Sequence, residues 1–144
     1  MRTIVLVDDD REYCLILRAL LQSLGASVSV VGEAADGEEG LAVVRRERPD
    51  ILITDLVMPN LNGIELTRHT RQELPQTRII LISSHIDDAY RLMASDSGAD
   101  AFVNKSVIST ALVAAVRDII ARLDGEAFPQ APPGQPGGGG GYGG

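Results

Sequence analysis

The chain has 144 residues, of which 44% are hydrophobic, and its 20 acidic and 13 basic residues give a formal net charge of −7. This length allows one compact domain with a real core but is too short for two ordinary ones. The acidic balance disfavours a direct nucleic-acid surface, because phosphate backbones are bound by clustered Lys and Arg. The single cysteine, Cys14, cannot form an internal disulfide, and we expect a buried thiol in a reducing, cytoplasmic setting.

Five short apolar runs are predicted to be buried strands separated by helices. The first is stopped by three consecutive acids and is far too short for a signal peptide or a membrane span. Continuous hydrophobicity is expected of strands covered on both faces, and alternating strands and helices pair in parallel through right-handed crossovers. The sequence therefore predicts an α/β fold, a doubly wound five-stranded parallel sheet with five helices in a three-layer sandwich. The predicted strands are residues 4–7, 28–31, 51–53, 79–82 and 101–103.

The first two helices are predicted from amphipathic spacing and from the residues at their ends. Apolar residues recur at three- and four-residue steps from Cys14 to Leu24, and Gly25 can adopt the left-handed conformation that ends a helix. The second helix begins near Asp36, whose carboxylate can cap backbone amides while Glu39 reaches back. It stops before Pro49, which disfavours the helical conformation of the residue before it.

The last three predicted helices complete the domain at residue 123. Residues 63–73 and 88–97 have weak apolar stripes, whereas residues 112–123 have the strongest amphipathic pattern in the chain. The sequence after them is rich in Gly and Pro and nearly uncharged, which is typical of disorder. We therefore expect one domain, residues 1–123, and a disordered tail, residues 124–144. No second module is recognised after the fifth helix, so the output is expected to leave through the domain itself.

Polar residues follow the apolar runs at the positions where the chemistry is expected. In an open parallel sheet, the loops that leave the carboxyl ends of the strands gather at a crevice where the strand order reverses. Carboxylates brought together there repel one another, and an oxygen-rich acidic cluster suits Mg²⁺ or Mn²⁺. The candidate residues at these strand ends are Asp8, Asp9, Asp55, Ser83, Ser84, His85, Asn104 and Lys105.

Asp55 is the expected nucleophile of this site. With a divalent cation and Lys105 nearby, its carboxyl group is expected to stay ionised, and a carboxylate can attack phosphorus to form an acyl phosphate. The metal, the lysine ammonium and hydrogen bonds would then balance the charge on the moving phosphoryl oxygens. The residues thus indicate a site that accepts a phosphoryl group.

Four segments resemble the receiver domain of bacterial two-component response regulators. They are VLVDDD at residues 5–10, ILITDLVMPNLNG at 51–63, ILISS at 80–84 and AFVNKS at 101–106, and the resemblance covers about residues 1–123. It implies a flavodoxin-like fold and a phosphoacceptor that dephosphorylates itself, not an enzyme that turns over external substrates. The implied donor is a phosphohistidine on a sensor histidine kinase or a histidine phosphotransfer protein. The implied target of the signal is a downstream protein that the sequence does not identify. No insertion of the chain into a membrane is implied.

The resemblance also assigns roles, position by position. Asp55 is the phosphorylated residue, and it shares the divalent cation with Asp8, Asp9 and the main-chain carbonyl of Val57.

The resemblance also implies which residues respond to phosphorylation. Lys105 pairs with the phosphoryl group while the Ser83 hydroxyl turns toward it, and Phe102 changes orientation with that move. The implied output is a shift of the face formed by the fourth helix, fifth strand and fifth helix. Whether phosphorylation also causes dimerisation is not decided by the sequence. Met58, Pro59 and Gly63 match the loop after the phosphoacceptor.

Five positions need separate treatment. Ser106 stands where the family usually has a proline joined through a cis peptide, so the last loop is expected to differ. Ser83 and Phe102 replace the usual Thr and Tyr, which predicts weaker or altered switching. His85 is assigned only as a modifier of phosphoryl-group hydrolysis, with an ordinary exposed histidine as an equal alternative. Asp10 is expected to cap the first helix and to lie outside the site.

Two other functions stay open from the sequence. A phosphatase of the haloacid-dehalogenase type is suggested by the Asp-x-Asp spacing from Asp8 to Asp10, but Arg11 follows it and the chain has no room for a cap domain. The second alternative is a receiver-like interaction module that is never phosphorylated.

Overall fold

The computed structural model describes residues 1–84 and 88–126. Five parallel strands form one sheet in the order β2-β1-β3-β4-β5. The strands are β1 (Arg2–Val7), β2 (Val28–Ala34), β3 (Ile51–Asp55), β4 (Arg78–Ser83) and β5 (Ala101–Asn104). The α-helices are α1 (Arg11–Leu21), α2 (Gly37–Glu47), α3 (Gly63–Glu73), α4 (Asp88–Ser97) and α5 (Ile108–Glu126). The predicted doubly wound fold is confirmed.

Both faces of the sheet are covered by helices, which explains the continuous apolar runs. Successive side chains of a strand point to opposite faces. On one face, Ile4 and Leu6 of β1 pack in a core cluster with residues of α1 and α5. On the other, Val5 and Val7 pack in a cluster with residues of α2 and α3. The β1 strand therefore contributes apolar side chains to a core cluster on each face of the sheet.

The strand order places the crevice at the carboxyl ends of β1 and β3. The chain first builds outward from β1 to β2 and then crosses to β3 on the other side of β1. Loops after these two strands consequently diverge to opposite faces of the sheet and leave a cleft between them. The cleft is where the sequence places its acidic residues.

Helix ends agree with the capping prediction in α2 but differ in α1. The Asp36 carboxylate accepts a hydrogen bond from the backbone N–H of Glu39 (2.8 Å), and Arg48, just before Pro49, is left-handed. The α1 helix ends at Leu21, four residues before the predicted stop, because the chain tightens into a 3-10 helix over Gln22–Ser27. Gly25 has the predicted positive φ of 57°, but it lies inside that segment with a ψ of −132°.

The fifth helix runs past the predicted end of the domain. It spans 19 residues and reaches Glu126, three residues beyond residue 123, and the rest of the predicted tail lies outside the described residues. None of the helices in the described ranges is both long and apolar enough to cross a membrane. Cys14 is buried as predicted, and burial raises the pKa of its thiol to about 11, so the thiol is protonated at neutral pH.

Candidate functional site

Three acids meet at the carboxyl ends of β1 and β3. Asp8 and Asp9 follow the last residue of β1, and Asp55 is the last residue of β3. One carboxylate oxygen from each of the three lies within 4.8 Å of the others. Asp8 is 1% exposed and Asp55 is 8% exposed, whereas Asp9 is open to solvent. The cluster therefore has a buried floor and one exposed acid at its rim.

Lys105 reaches this cluster from β5, on the other side of β4. Its Nζ donates hydrogen bonds to Oδ2 of Asp8 (3.1 Å) and to Oδ2 of Asp55 (3.3 Å). It is the only lysine in the 144-residue chain. Residues from three different strand ends are thus joined around one ammonium group.

The buried position of the acids disfavours their ionised forms. Burial is the main factor that raises the pKa of Asp8, opposed by hydrogen bonds from the Asp10 backbone and from Lys105. Burial also raises the pKa of Asp55, and the negative charge of Asp8 raises it further against the opposing effect of Lys105. For Lys105, burial acts to lower the pKa, but the carboxylates of Asp55 and Asp8 outweigh it and the net pKa is raised.

The donor set fits a hard divalent cation. Three ionised carboxylates and one ammonium leave two negative charges uncompensated. Burial is the main cause of the raised pKa values of Asp8 and Asp55, and repulsion from the neighbouring acids adds to it. Carboxylate and main-chain carbonyl oxygens are the ligands that Mg²⁺ and Mn²⁺ prefer. The backbone of Val57 lies beside the Asp55 carboxyl group, where its N–H acts to lower the pKa of that group.

Gly63 keeps the loop after β3 folded against Asp55. Its N–H donates to the carbonyl of Leu56 (2.9 Å), and a Cβ at this position would lie 2.1 Å from the Asp55 carbonyl oxygen. Only a residue without a side chain allows this approach. The backbone that carries the Asp55 carboxylate is therefore held by direct main-chain packing.

Gly37 fixes the same loop from α2, and the sequence analysis did not identify it. A Cβ on Gly37 would lie 1.8 Å from the Leu61 carbonyl oxygen. The neighbouring Asn60, left-handed with a φ of 66°, donates from its side-chain amide to Asp36 (3.1 Å). The one signal in the sequence was a glycine directly after a capping aspartate, which does not reveal a contact with residues 24 positions away.

A model of the response regulator receiver domain matches residues 4–117. The chain belongs to this family. Accepting a phosphoryl group is the general function of receiver domains, which are phosphoacceptors and not enzymes that turn over external substrates. The response regulator protein VraR of Staphylococcus aureus is 33% identical over 113 residues, which are 78% of this chain and 54% of VraR. The chain thus spans about half the length of the curated relatives it matches.

Solved receiver domains have the same fold. A two-component response regulator of the LuxR family from Aurantimonas is 37% identical with a TM-score of 0.79, over 85% of this chain and 86% of that one. The signal receiver domain of a response regulator described as NarL from Mycobacterium tuberculosis is 36% identical with a TM-score of 0.76, over 83% and 96% of the two chains. A DNA-binding response regulator from Staphylococcus aureus, at 18% identity and a TM-score of 0.73, shares the fold. The absence of direct nucleic-acid contact stays a prediction for this chain.

The two switch residues named from the sequence lie on adjacent strands of the receiver domain. Ser83 ends β4, is 1% exposed and pairs in register with Asn104 of β5. Phe102 of β5 packs partly buried against a cluster that includes Leu56, Ile64 and Ala94, and the guanidinium of Arg91 lies 5.9 Å from its ring centroid. His85, the predicted modifier, lies outside the described residues.

The loop after β5 takes a trans path. No peptide bond in the described ranges is cis, and Lys105 begins a 3-10 turn that ends at Val107. The Asn104 side chain accepts a hydrogen bond from the backbone N–H of Ser106 (2.9 Å). Ser106 thus supplies a backbone N–H that a proline could not, and the peptide bond between Lys105 and Ser106 is trans.

Asp10 caps α1, as predicted. Its carboxylate accepts hydrogen bonds from the backbone N–H groups of Glu12 (3.0 Å) and Tyr13 (3.3 Å). The Asp-x-Asp spacing that suggested a phosphatase therefore combines a cluster residue, Asp8, with a helix cap. Together with the family assignment, this removes the support for the phosphatase alternative.

Proposed function

We propose that this receiver domain accepts a phosphoryl group from a phosphohistidine donor onto Asp55 in a reaction that depends on Mg²⁺. The observation that carries the proposal is the convergence of Asp8, Asp9 and Asp55 within 4.8 Å, with the Lys105 ammonium hydrogen-bonded to two of them. Asp8, Asp9, Asp55 and the Val57 carbonyl would hold the cation. Mn²⁺ is expected to substitute, because it prefers the same oxygen ligands.

The reaction is a displacement at phosphorus. A carboxylate oxygen of Asp55 forms the new P–O bond while the P–N bond to the donor imidazole breaks and its electron pair leaves with the nitrogen. The divalent cation, when bound, supplies positive charge to the phosphoryl oxygens. Lys105 supplies the second positive charge from the protein, and the Gly63 loop keeps the carboxylate in place. The product is an acyl phosphate on Asp55.

Asp9 provides the sharpest test of the metal requirement. Asp9→Asn is expected to weaken Mg²⁺ binding by about tenfold or more, because the exposed acid of the cluster loses its charge. Isothermal titration calorimetry measures the affinity, and intact-mass spectrometry after phosphoramidate treatment measures phosphorylation at low Mg²⁺. EDTA should abolish labelling of the wild-type chain.

Asp10→Asn is the matched control, since it removes the same charge one residue further on and asparagine still caps a helix. Its Mg²⁺ affinity should stay close to that of the wild type. Labelling that persists unchanged in EDTA, or equal Mg²⁺ affinities in both variants, would contradict the proposed metal site.

The proposed output is a shift of the face formed by α4, β5 and α5. Ser83 would turn toward the phosphoryl group and Phe102 would follow. Support comes from the position of Phe102 in the wall of a groove of about 250 Å³ between α4 and β5, which gives the ring room to move. A shift between two states requires an interaction that favours one of them. The phosphoryl group on Asp55 would supply that interaction.

NMR spectra recorded before and after phosphorylation test this output. Chemical-shift changes are expected along α4, β5 and α5 in the wild-type chain and not in Asp55→Asn. Changes confined to the loops around Asp55 would show that the shift does not occur. A chain that takes no label in the cell but still binds partners through this face would instead be the interaction module.

The partners are proposed by family resemblance and by charge. The donor would be a sensor histidine kinase or a histidine phosphotransfer protein in the cytoplasm, and a downstream protein would recognise the α4, β5 and α5 face. The net charge of −7 supports a protein partner in preference to direct contact with nucleic acid. A phosphorylation-dependent dimer is a second proposed output, which sedimentation of the labelled chain would detect.

A further inference from the structure

We propose that Tyr13 is a positioning residue that holds the Lys105 ammonium at the edge of the carboxylate cluster and so sets the rate at which Asp55 is phosphorylated. This inference rests on the proposed function, because it concerns the same reaction. The sequence alone gave no reason to select Tyr13, which lies within an ordinary amphipathic helix.

The ring of Tyr13 is the third partner of the ammonium group. Lys105 Nζ lies 4.1 Å from the centroid of the Tyr13 ring, and the same nitrogen donates to Asp8 and Asp55. An ammonium group has three N–H donors and is attracted to the face of an aromatic ring within about 6 Å. Two carboxylates and one aromatic ring thus surround a single cation whose side chain is only 17% exposed.

Tyr13 is itself fixed by its place in α1. It lies in the first turn, where its backbone N–H donates to the capping carboxylate of Asp10 (3.3 Å), and its ring packs against the core cluster between the sheet, α1 and α5. Its hydroxyl oxygen is buried and has no hydrogen-bond partner among the residues that the structure describes. The aromatic ring, and not a hydrogen bond from the hydroxyl group, therefore makes the contact.

Within residues 1–84 and 88–126, the ring is the one partner of the Lys105 ammonium that a metal ion would not compete for. Both hydrogen bonds of the ammonium go to carboxylates that the proposed function assigns to the cation. Mg²⁺, when bound, would draw on those same carboxylates and loosen the ammonium from them. A lysine side chain without a remaining contact regains rotational freedom, which opposes its placement beside a phosphoryl group. The contact with Tyr13 would keep the ammonium at the site in the metal-bound state.

Substitution of Tyr13 separates the rate of phosphorylation from metal affinity. At saturating Mg²⁺, Tyr13→Leu is expected to slow phosphorylation by phosphoramidate about 5- to 30-fold, the size expected for loss of a partly buried cation–π contact. Its Mg²⁺ affinity should stay within about twofold of the wild type, since the ring contacts the ammonium and no proposed metal ligand. Tyr13→Phe keeps the ring and should restore the wild-type rate.

A double-mutant cycle distinguishes this role from a general loss of stability. Lys105→Met removes the ammonium, and adding Tyr13→Leu to it should cause no further slowing, because interacting residues are not additive. Leu20→Ala is the control, as Leu20 is a partly buried residue of the same helix and packs against the same core. It should lower the melting temperature and leave the labelling rate of the folded chain unchanged.

The contact can also be measured without any phosphorylation. Because Lys105 is the only lysine, a chain grown with ¹³C-lysine gives a single Hε–Cε signal. Ring-current displacement of that signal is expected in the wild type and in Tyr13→Phe, and its loss is expected in Tyr13→Leu. An identical signal in all three chains would overturn the inference.

The outcomes also separate this inference from the proposed function. If Tyr13→Leu is phosphorylated on Asp55 at the same rate as the wild type, the role of Tyr13 is overturned and the proposed function is not. A chain that shows the displaced lysine signal but never takes a phosphoryl group would overturn the proposed function, and the rate-setting role with it.

Discussion

Replacing Asp55 with Asn is expected to abolish phosphorylation. The substitution keeps the shape of the side chain but removes the carboxylate oxygen that would form the bond to phosphorus. Intact-mass spectrometry after treatment with phosphoramidate and Mg²⁺ should show one added phosphoryl group on the wild-type chain and none on Asp55→Asn. Asp10→Asn should be labelled like the wild type, because Asp10 caps α1. A labelled Asp55→Asn chain would remove Asp55 from the role of phosphoacceptor.

The same variant should be at least as stable as the wild type in the absence of divalent cations. Burial and the charge of Asp8 raise the pKa of Asp55 in the folded chain, so its ionisation opposes folding. This cost is absent in acid below the ordinary pKa of 3.8 and grows as the pH rises through the raised folded value. Urea denaturation in EDTA should therefore show that the free energy of unfolding of Asp55→Asn rises relative to that of the wild type between acid and neutral pH. A loss of stability that grows with pH would contradict the electrostatic account.

Replacing Gly63 with Ala is expected to disrupt the loop that positions Asp55. The new Cβ would lie 2.1 Å from the Asp55 carbonyl oxygen and 2.9 Å from Cα of Leu56, so main-chain atoms have to move. Forcing atoms into such a packed position typically costs about 1–3 kcal/mol, and the free energy of unfolding should fall by at least that amount. Phosphorylation should also slow, because the displaced backbone carries the nucleophile.

Gly125→Ala is the matched control for this substitution. A Cβ added at Gly125, near the end of α5, meets no atom within 4 Å, and alanine favours helix more than glycine does. Its free energy of unfolding should be unchanged or slightly higher. Urea denaturation of both variants measures the difference, and equal stability of Gly63→Ala and the wild type would show that the loop tolerates the added methyl group.

The sheet and most of the helices could be predicted because local sequence determines them. A strand buried on both faces is apolar throughout, as in residues 51–53, and capping residues such as Asp36 act on neighbouring backbone groups. The end of α1 was less predictable. Gly25 permits a positive φ, but whether the helix continues to it depends on how the chain enters β2.

The residues of the candidate site could likewise be predicted only in part. The strand-end rule brought Asp8, Asp55 and Lys105 together, because parallel strands deliver the residues after their carboxyl ends to one edge of the sheet. The rule could not find Tyr13 or Gly37, which act across helix-to-loop contacts between residues distant in sequence. Contacts of that kind depend on how the elements pack and leave no pattern in a single sequence.

The position of the acyl phosphate in the wild-type chain tests the central claim most directly. Treatment with phosphoramidate and Mg²⁺, followed by borohydride reduction and peptide mass spectrometry, converts a phosphorylated aspartate into homoserine and so marks its place. The account predicts homoserine at position 55 and at no other aspartate, with none formed in EDTA. Homoserine at position 8 or 9, or a phosphoryl group found only on a histidine, would contradict it.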